Sequence, residues 1–444
     1  MKQIFRQILI FLLLTFISGN YYAQILTDTV FKLDEVEITA QKPLTEKGLI
    51  KTAIDTTALR ENLNGSLSEL LANHTPVFIK TYGQGSLATA SFRGTAASHT
   101  RVEWNGISIN SPMLGQVDFS LIPVYFIDEV ELLHGGSSLQ NGSGALGGSI
   151  HINSKPVWDK KFYGSVVQGA GSFDTWQTFI KAGGGNKKYQ SRIRMFYEQS
   201  QNDFEYYNTA NGLWNHERQI NAGYHKFGGM GGLFFKAGSN NMFSVSAWLQ
   251  HADRNLPPIM SYEGKGRDEN QQDDELRISA KWQLYRRDVK SEYTSGYACT
   301  TMDYYLANHT DGGLLLNYDA QSSIYSVFNK YDLEISFGRN TILRTLLNGN
   351  YHNASIFDKR EMTGYDAERA EIGVSACVHH DFSSLVAAYL LIRQDYVNNE
   401  FTPPMPSAGI EISPFKNQHI QIKSNVTRNF HQPKLNDLYW LPGG

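Results

Sequence analysis

The sequence predicts an N-terminal α+β domain followed by an antiparallel transmembrane β-barrel of about 12–14 strands. Three observations lead to this prediction: an export signal at the start of the chain, a composition rich in glycine and aromatic residues, and long alternating runs in the second half. The 444 residues include 39 glycines and 12% aromatic residues, but only 19% charged residues. Such a composition is typical of many strands joined by turns, and it is too apolar for a disordered chain.

The start of the chain has the pattern of a secretory signal peptide. Lys2 and Arg6 precede an apolar run over residues 8–17, and a small residue, Ala23, stands at the expected cut. The run is too short for a spanning helix, which needs about 20 apolar residues. We therefore expect removal of residues 1–23 and export of the mature chain. Exported strands that enter lipid must close into a barrel, because lipid offers no partners to open backbone groups.

Residues 51–156 predict a small α+β domain. A short helix is expected over residues 63–71, where Ser66 and Glu69 have the spacing of a capping box. An Asn-Gly pair at 105–106 predicts a tight hairpin turn. The segments expected as strands are 77–80, 90–93, 101–104 and 129–133. This is enough secondary structure for a domain with its own core.

Residues 157–444 show the period-2 alternation of strands with one polar and one apolar face. Within residues 242–250, for example, Phe243, Val245 and Leu249 alternate with polar side chains. Several such runs reach roughly ten residues, which suits tilted membrane strands better than the ~5–6 residues of a soluble sandwich. At roughly 20–25 residues per strand and connection, this region supplies about 12–14 strands.

The connections between these strands differ in length. Residues 172–174 and 236–240 read as short turns, and we expect both on the periplasmic side. Residues 202–218 and 253–274 are long, polar and aromatic, as extracellular loops of such barrels are.

The chain predicts no enzyme and no cofactor. Its net charge of -3 gives no basic surplus for nucleic acid. The glycines of 142–147 fit a dinucleotide motif, but a strand-like run over 149–153 follows where a helix would be needed. No Ser/His/Asp or Cys/His set has a meaningful spacing. Cys299 and Cys377 are too few for a disulfide scaffold or a multi-Cys zinc site, and both are predicted as small apolar side chains.

Only one stretch resembles a metal site, and it is a weak candidate. Residues 268–275 form a carboxylate run whose oxygens suit Ca²⁺, but it lacks the glycine and flanking helices of an EF-hand. The four carboxylates of this candidate are Asp268, Glu269, Asp273 and Asp274. A solvated loop is the preferred interpretation. The His379-His380 pair has no further ligands nearby in the sequence, so no metal role is predicted there.

Several short segments follow one another in a characteristic order. They are residues 68–71, 75–77, 92–94, 102–109, 127–136 and 141–152. Together they resemble the plug domain of TonB-dependent outer-membrane receptors, and the resemblance extends over most of residues 66–155. The segments 429–430 and 433–440 resemble a mid-barrel part of the same family, and the cobalamin-receptor branch is the most similar one.

The segment 34–40 resembles the TonB box of that family. Its residues are Asp34, Glu35, Val36, Glu37, Ile38, Thr39 and Ala40. The resemblance implies that this box, in a linker over residues 24–50, pairs as a strand with the periplasmic protein TonB. It also implies that residues 51–156 form a plug within the barrel. The protein would then import a scarce small molecule of the cobalamin or iron-siderophore class across the outer membrane.

Two alternatives to a transporter stay open. A plugged barrel could dock a surface partner that captures nutrients or mediates adhesion, since a fold alone does not fix the function. Plugged receptors have about 22 strands, more than residues 157–444 supply. We therefore expect a partial barrel from a truncated receptor, and a fragment that does not transport is the second alternative.

Overall fold

The computed structural model describes residues 48–140, 144–158, 160–210, 214–262, 266–415 and 420–440. The predicted signal peptide and the segment 34–40 lie outside these residues, so both stay predictions. Within the described ranges, no helix is both long and apolar enough to cross a membrane.

The first part of the described chain is an α+β domain on a five-stranded sheet. Its helices are α1 (Thr56–Glu61) and α2 (Leu67–His74). Its strands are β1 (Lys51–Ala53), β2 (Phe78–Thr81), β3 (Ala88–Ser91), β4 (Thr100–Trp104), β5 (Ile107–Ser108), β6 (Glu129–His134) and β7 (Gly148–Asn153). The sheet has the order β1-β6-β7-β4-β5, with β4 and β7 parallel, and β2 pairs with β3 apart from it. The predicted α+β class is confirmed.

Helix α2 begins where the sequence provides its capping partners. Ser66 occupies the N-cap position, and its backbone N–H donates to Oε2 of Glu69 over 3.1 Å. Leu67, Leu70 and Leu71 then fall on the buried face. The helix predicted over 63–71 therefore starts later than expected, because the residues before Ser66 form a turn after α1.

Apolar side chains of the central strands form the core of this domain. Val102, Val130 and Ile150, from β4, β6 and β7, are fully buried. The same core includes side chains from the later strands: the rings of Trp104 in β4 and Trp248 meet edge to face with centroids 5.6 Å apart. The domain therefore packs on the later strands through apolar contacts.

Fourteen of the sixteen strands that follow in the described residues form one antiparallel sheet. The elements are β8 (Tyr163–Gly171), β9 (Thr175–Gly185), β10 (Tyr189–Ser200), β11 (Glu205–Asn208), β12 (Asn215–Arg218), β13 (Tyr224–Ala237), β14 (Asn241–Asn255), β15 (Arg267–Tyr285), β16 (Val289–Thr310), β17 (Gly313–Phe337), β18 (Thr341–Asp358), β19 (Thr363–Asp381), β20 (Val386–Val397), β21 (Glu400–Phe401), β22 (Met405–Ile412), β23 (Ile422–Thr427) and α3 (Leu435–Tyr439).

Sequence neighbours are also neighbours in this sheet, which runs from β8 to β23. Three short strands leave the path: β11 and β12 pair with each other, and β21 adds to the end of β20. Among the described residues, β8 and β23 are the two edge strands and no ladder joins them. The predicted number of strands is confirmed, and the barrel is incomplete within this chain.

The two faces of the sheet differ as the alternation predicts. In β14, the outward side chains of Phe243, Val245 and Leu249 are exposed, while Trp248 and Gln250 point inward and are buried. The outward face is apolar and the inward face is covered by the N-terminal domain. An apolar exterior around a polar, filled interior is the arrangement of an outer-membrane barrel.

The short turn over residues 172–174 lies on the side opposite to that of 238–240. The backbone N–H of Gln201 donates to the carbonyl of Phe173 over 2.9 Å, so this turn shares an edge with the long connection 201–223. We name the edge of the sheet that carries the turn 172–174 and the connection 201–223 the loop edge. The opposite edge, which carries the turn 238–240, is the turn edge. The prediction that both short turns lie on one side is wrong, because three strands separate them and each crosses the sheet once.

Candidate ligand-binding chamber

Asp128 makes one of the charged contacts between the N-terminal domain and the sheet. Arg192 and Arg194, from β10, both donate to its carboxylate, and both guanidinium groups are buried. Arg192 also donates to the carbonyl of Lys155, and Arg194 to that of Tyr125 over 3.0 Å. Burial raises the pKa of Asp128, but the two guanidinium groups outweigh burial and hold the pKa below its ordinary value.

Glu103, in β4, makes a second contact. It accepts from Nε of Arg101 over 2.9 Å and from Nζ of Lys330 over 3.3 Å, and His151 lies at 3.4 Å. Burial raises the pKa of Glu103, but the charges of Lys330 and Arg101 hold it well below the ordinary value. The carboxylate is therefore ionised although it is buried, and it ties the domain to β17.

Arg254, in β14, makes a third contact by bridging two carboxylates. Its Nη1 donates to Asp118 of the N-terminal domain over 2.6 Å, and its Nη2 donates to Asp273 of β15 over 2.6 Å. The guanidinium is buried and is balanced on both sides. Three separate charged contacts therefore fix the domain to β10, β14 and β17. We call the 14-stranded sheet to which these strands belong the wall.

The turn at residues 105–106 approaches the wall closely. Asn105 and Gly106 both have positive φ, 47° and 86°, which confirms the tight turn expected from the Asn-Gly pair. The hydroxyl of Ser279 donates to the carbonyl of Asn105 over 3.0 Å. A Cβ on Gly296 would lie 2.4 Å from Cγ2 of Ile107, so the wall has a glycine where the hairpin touches it.

A chamber opens between the segment 108–112 of the N-terminal domain and the wall. Its wall residues come from the parts of β14 to β20 that run toward the loop edge. Two cavities, of about 140 and 290 Å³, lie on either side of this segment and share it as lining. The chamber therefore has two arms.

Half of the residues that line the larger cavity, which we name the apolar arm, are apolar. They include Met113, Leu121 and Ile122 of the domain, with Ile324 and Ile356 of the wall. Its charged groups are already paired: Arg254 bridges two aspartates as described, and Arg277 contacts Glu275 at 2.6 Å. Such a surface suits the apolar part of a ligand.

The smaller cavity, which we name the polar arm, is lined by charged and amide side chains. Its cations are Arg101, Arg369, Arg393 and Lys434, and its carboxylates are Glu371 and Asp395. Asn348, Asn350 and His352 complete the wall side. Together the arms combine an apolar surface with a few polar groups, as small-molecule sites do.

The acidic run lies in a strand rather than in the predicted loop 253–274. Strand β15 begins at Arg267, and alternation turns its side chains to opposite faces. Glu269 and Asp273 point inward, where they bond to Tyr304 and Arg254. The other two carboxylates, Asp268 and Asp274, point outward to His309 and His251. The strand therefore separates the four carboxylates of the calcium candidate into two pairs on opposite faces.

Other predicted positions lie far from the chamber or apart from each other. His379 is buried beside Cys377, whereas His380 bonds to Thr341 on the other face of β19. Cys377 is buried in an apolar cluster, and Cys299 is half-buried in β16. Across the described residues, no three His, Cys, Asp or Glu side chains cluster closely enough to hold a metal ion.

The arginines of the polar arm were not predicted from the sequence. Arg369 and Arg393 occupy inward positions of β19 and β20, each two residues from a carboxylate, Glu371 or Asp395. In the sequence, each of these two residues is recognisable only as an arginine on the polar face of an alternating strand. That signal also fits Arg192, which holds the domain, so it could not identify the chamber by itself.

The TonB-dependent Receptor Plug Domain family matches residues 46–149. The chain has the plug of a TonB-dependent receptor. The plug resemblance seen in the sequence is thereby confirmed.

Curated relatives match part of the chain. The vitamin B12 transporter BtuB of Vibrio vulnificus (strain YJ016) is 37% identical over 75 residues, 17% of this chain and 12% of that protein. BtuB of Vibrio cholerae (serotype O1, strain M66-2) is 35% identical over 120 residues, 27% of this chain and 19% of that protein. The matches thus span less than a fifth of these relatives' own length.

Solved receptor structures match both the plug and the sheet. The siderophore receptor PirA from Acinetobacter baumannii superposes with a TM-score of 0.68 and 16% identity, over 88% of this chain and 62% of that one. The copper transporter OprC has a TM-score of 0.66 and 13% identity, over 85% of this chain and 62% of that one. At such identities the likeness shows the fold. The chain spans about 62% of the length of these receptors.

Proposed function

We propose that this chain belongs to an outer-membrane receptor that imports a scarce nutrient of the cobalamin or iron-siderophore class. The observation that carries the proposal is the plug seated on the inner face of a lipid-facing sheet by Asp128, Glu103 and Arg254. In a complete barrel such a plug would block the lumen, so passage of a ligand requires that the plug move or rearrange. The BtuB relatives support cobalamin, and the PirA neighbour supports a siderophore.

The energy for plug movement would come through TonB. We propose that residues 34–40 pair as an added strand with TonB, so that a pull from the periplasm reaches the plug through β1. Strand β1 is the first strand of the domain and pairs with β6 at the edge of the plug sheet, and residues 34–40 precede it in the chain. No nucleotide site is needed in a receptor that is driven in this way.

Uptake measurements test this function. The receptor gene would be expressed in a host that lacks its own cobalamin and siderophore receptors, with and without TonB. We expect accumulation of radiolabelled cyanocobalamin or of a ⁵⁵Fe-siderophore only where both receptor and TonB are present. Uptake of neither class, or equal uptake without TonB, would contradict the proposal.

Docking of a surface partner remains a second candidate because of one surface feature. The hairpin of β11 and β12 rises at the loop edge and exposes Tyr207 and Trp214, whose rings pack 5.9 Å apart. Paired exposed aromatic side chains are common in protein interfaces. Pull-down of one outer-surface protein by the intact receptor, lost on Trp214→Ala while uptake persists, would support this role.

A further inference from the structure

Two arginines of the polar arm have buried N–H groups without partners. In Arg393, Nη2 donates to Oδ1 of Asn348 over 2.7 Å and lies 2.9 Å from Oδ1 of Asp395. Its Nε and Nη1 have no hydrogen-bond partner, although the side chain is only 1% exposed. In Arg369, Nη2 donates to the carbonyl of Pro433 over 2.5 Å, but its buried Nε has no partner.

Unpartnered guanidinium donors at this depth call for an acceptor. An arginine carries five N–H donors and cannot lose its charge in a protein. A buried donor without a partner costs about 1–3 kcal/mol, and more when it is charged. An oxyanion is the group that satisfies it best, because a carboxylate or phosphate accepts two parallel N–H bonds from one guanidinium.

The charge balance of the two arms separates their roles. Four cationic side chains and two carboxylates line the polar arm; of the four cations, Arg101 is paired with Glu103 and Lys434 with Asp437. The apolar arm has two arginines, Arg254 and Arg277, against three carboxylates; both arginines are bonded to carboxylates, and each keeps one buried N–H without a partner. We therefore expect an anion that enters the chamber to favour the polar arm, where Arg369 and Arg393 together have three such N–H groups and fewer carboxylates beside them.

The wall is shaped to hold Arg393 in place. A Cβ on Gly373, the neighbouring inward position of β19, would lie 2.2 Å from Nη2 of Arg393 and 2.5 Å from Oδ1 of Asp395. A larger residue at this position would have to displace the guanidinium or its partners. Arg393 is thus built into the wall while its other edge is left without an acceptor.

We propose that the polar arm is an oxyanion subsite in which Arg369 and Arg393, opposite Arg101 of the plug, bind a carboxylate or phosphate group of the ligand. The apolar arm then takes the uncharged part of the same molecule. That the bound molecule is transported rests on the proposed receptor function. The anion-binding subsite itself depends only on the folded chamber. The substrate class is an anionic small molecule with an apolar portion.

Small anions test the subsite without knowledge of the natural ligand. The detergent-solubilised protein would be titrated with inorganic phosphate, followed by ³¹P line broadening, and separately with ¹³C-acetate, at constant ionic strength. We expect saturable binding of at least one anion. Tighter phosphate binding assigns a phosphate-bearing ligand, and tighter acetate binding a carboxylate-bearing one.

Variants locate the binding. R369Q/R393Q should weaken anion binding at least tenfold, and R277Q in the apolar arm is the matched control and should leave it unchanged. If the double variant does not fold, R369Q alone should weaken binding about threefold. Absence of saturable binding in the parent protein, or equal weakening in R277Q, would overturn the subsite. Because the probes need neither TonB nor transport, failure of uptake and failure of the subsite are separate results.

Discussion

At the residue scale, buried arginines of the wall decide how the plug is held. A buried ion pair adds little beyond a well-packed apolar contact, but removing one partner leaves an uncompensated charge. Asp128 is the clearest case, since its one carboxylate faces both Arg192 and Arg194. Single carboxylates of the plug should therefore have large effects on its attachment.

Asp128→Asn tests that statement. The change leaves two buried guanidinium groups without a counter-charge, and we expect plug attachment to weaken by about 3 kcal/mol. The measurement is the urea concentration at which trypsin begins to cleave the plug in the intact protein. Asp203→Asn is the matched control: its pair with Arg218 is exposed, so the change should be near zero. Equal protease resistance of both variants would contradict the assignment.

Glu103 predicts a dependence on pH. Its pKa in the folded protein lies well below the ordinary value of 4.5, since Lys330 and Arg101 outweigh the effect of burial. The ionised carboxylate therefore stabilises the folded protein at pH values above 4.5. This stabilisation is lost as the pH falls from 4.5 toward the pKa of the folded state. Fluorescence of the nearby Trp104 should report loosening of the plug on acidification below that value. Glu103→Gln should flatten this acid dependence, and an unchanged profile in that variant would refute it.

At the element scale, the alternation of each strand separates a lipid-facing side from a plug-facing side. The outward side chains of β14 change along the strand from Phe243, Val245 and Leu249 to His251 and Asp253 near the loop edge. The apolar stretch marks the depth of the hydrocarbon core, and the polar end marks the outer interface. The cost of an outward charge should follow this depth.

Val245→Arg places a charge in the apolar stretch. We expect folding into lipid vesicles to be destabilised by about 2–4 kcal/mol, because a lipid-facing arginine near mid-depth is costly. Gln272→Arg, on the same outer face near the loop edge, is the control and should cost about 0–1 kcal/mol. Heat-modifiable migration in gels would report the folded fraction. Similar losses in both variants would argue against a membrane at this depth.

At the scale of the whole molecule, the proposed function requires the plug to couple TonB to the chamber. The plug begins at β1, and the chamber lies between its segment 108–112 and the parts of the wall that run toward the loop edge. In that proposal, a ligand in the chamber and TonB on residues 34–40 act on the same domain. Coupling and ligand binding should be separable.

Val36→Pro or Ile38→Pro tests that separation in the intact receptor. Proline removes a backbone donor, and strand pairing with TonB should be lost. We expect uptake to fall at least tenfold while ligand binding to whole cells stays within twofold of the parent. Thr29→Pro, outside the proposed box, serves as the control and should transport normally. Loss of binding together with uptake would exclude residues 34–40 as a pure coupling segment.

The sequence by itself determined the local features of this protein. The capping box of Ser66 and Glu69, the turn at 105–106 and the two faces of β14 depend on residues close together in the chain, so their patterns could be read directly. The segments resembling the plug likewise stand in sequence order. These features were enough to predict the class of fold and the number of strands.

Only the tertiary structure decided the chamber and the fate of the acidic run. Arg101 and Arg393 belong to different domains, and they line the same arm of the chamber because the sheet curves around the plug. Asp273 became a partner of Arg254 and Asp274 did not, because a strand replaced the expected loop and set neighbouring carboxylates on opposite faces. Contacts between distant residues depend on where each strand lies in the sheet, and no local pattern in the sequence carries that position.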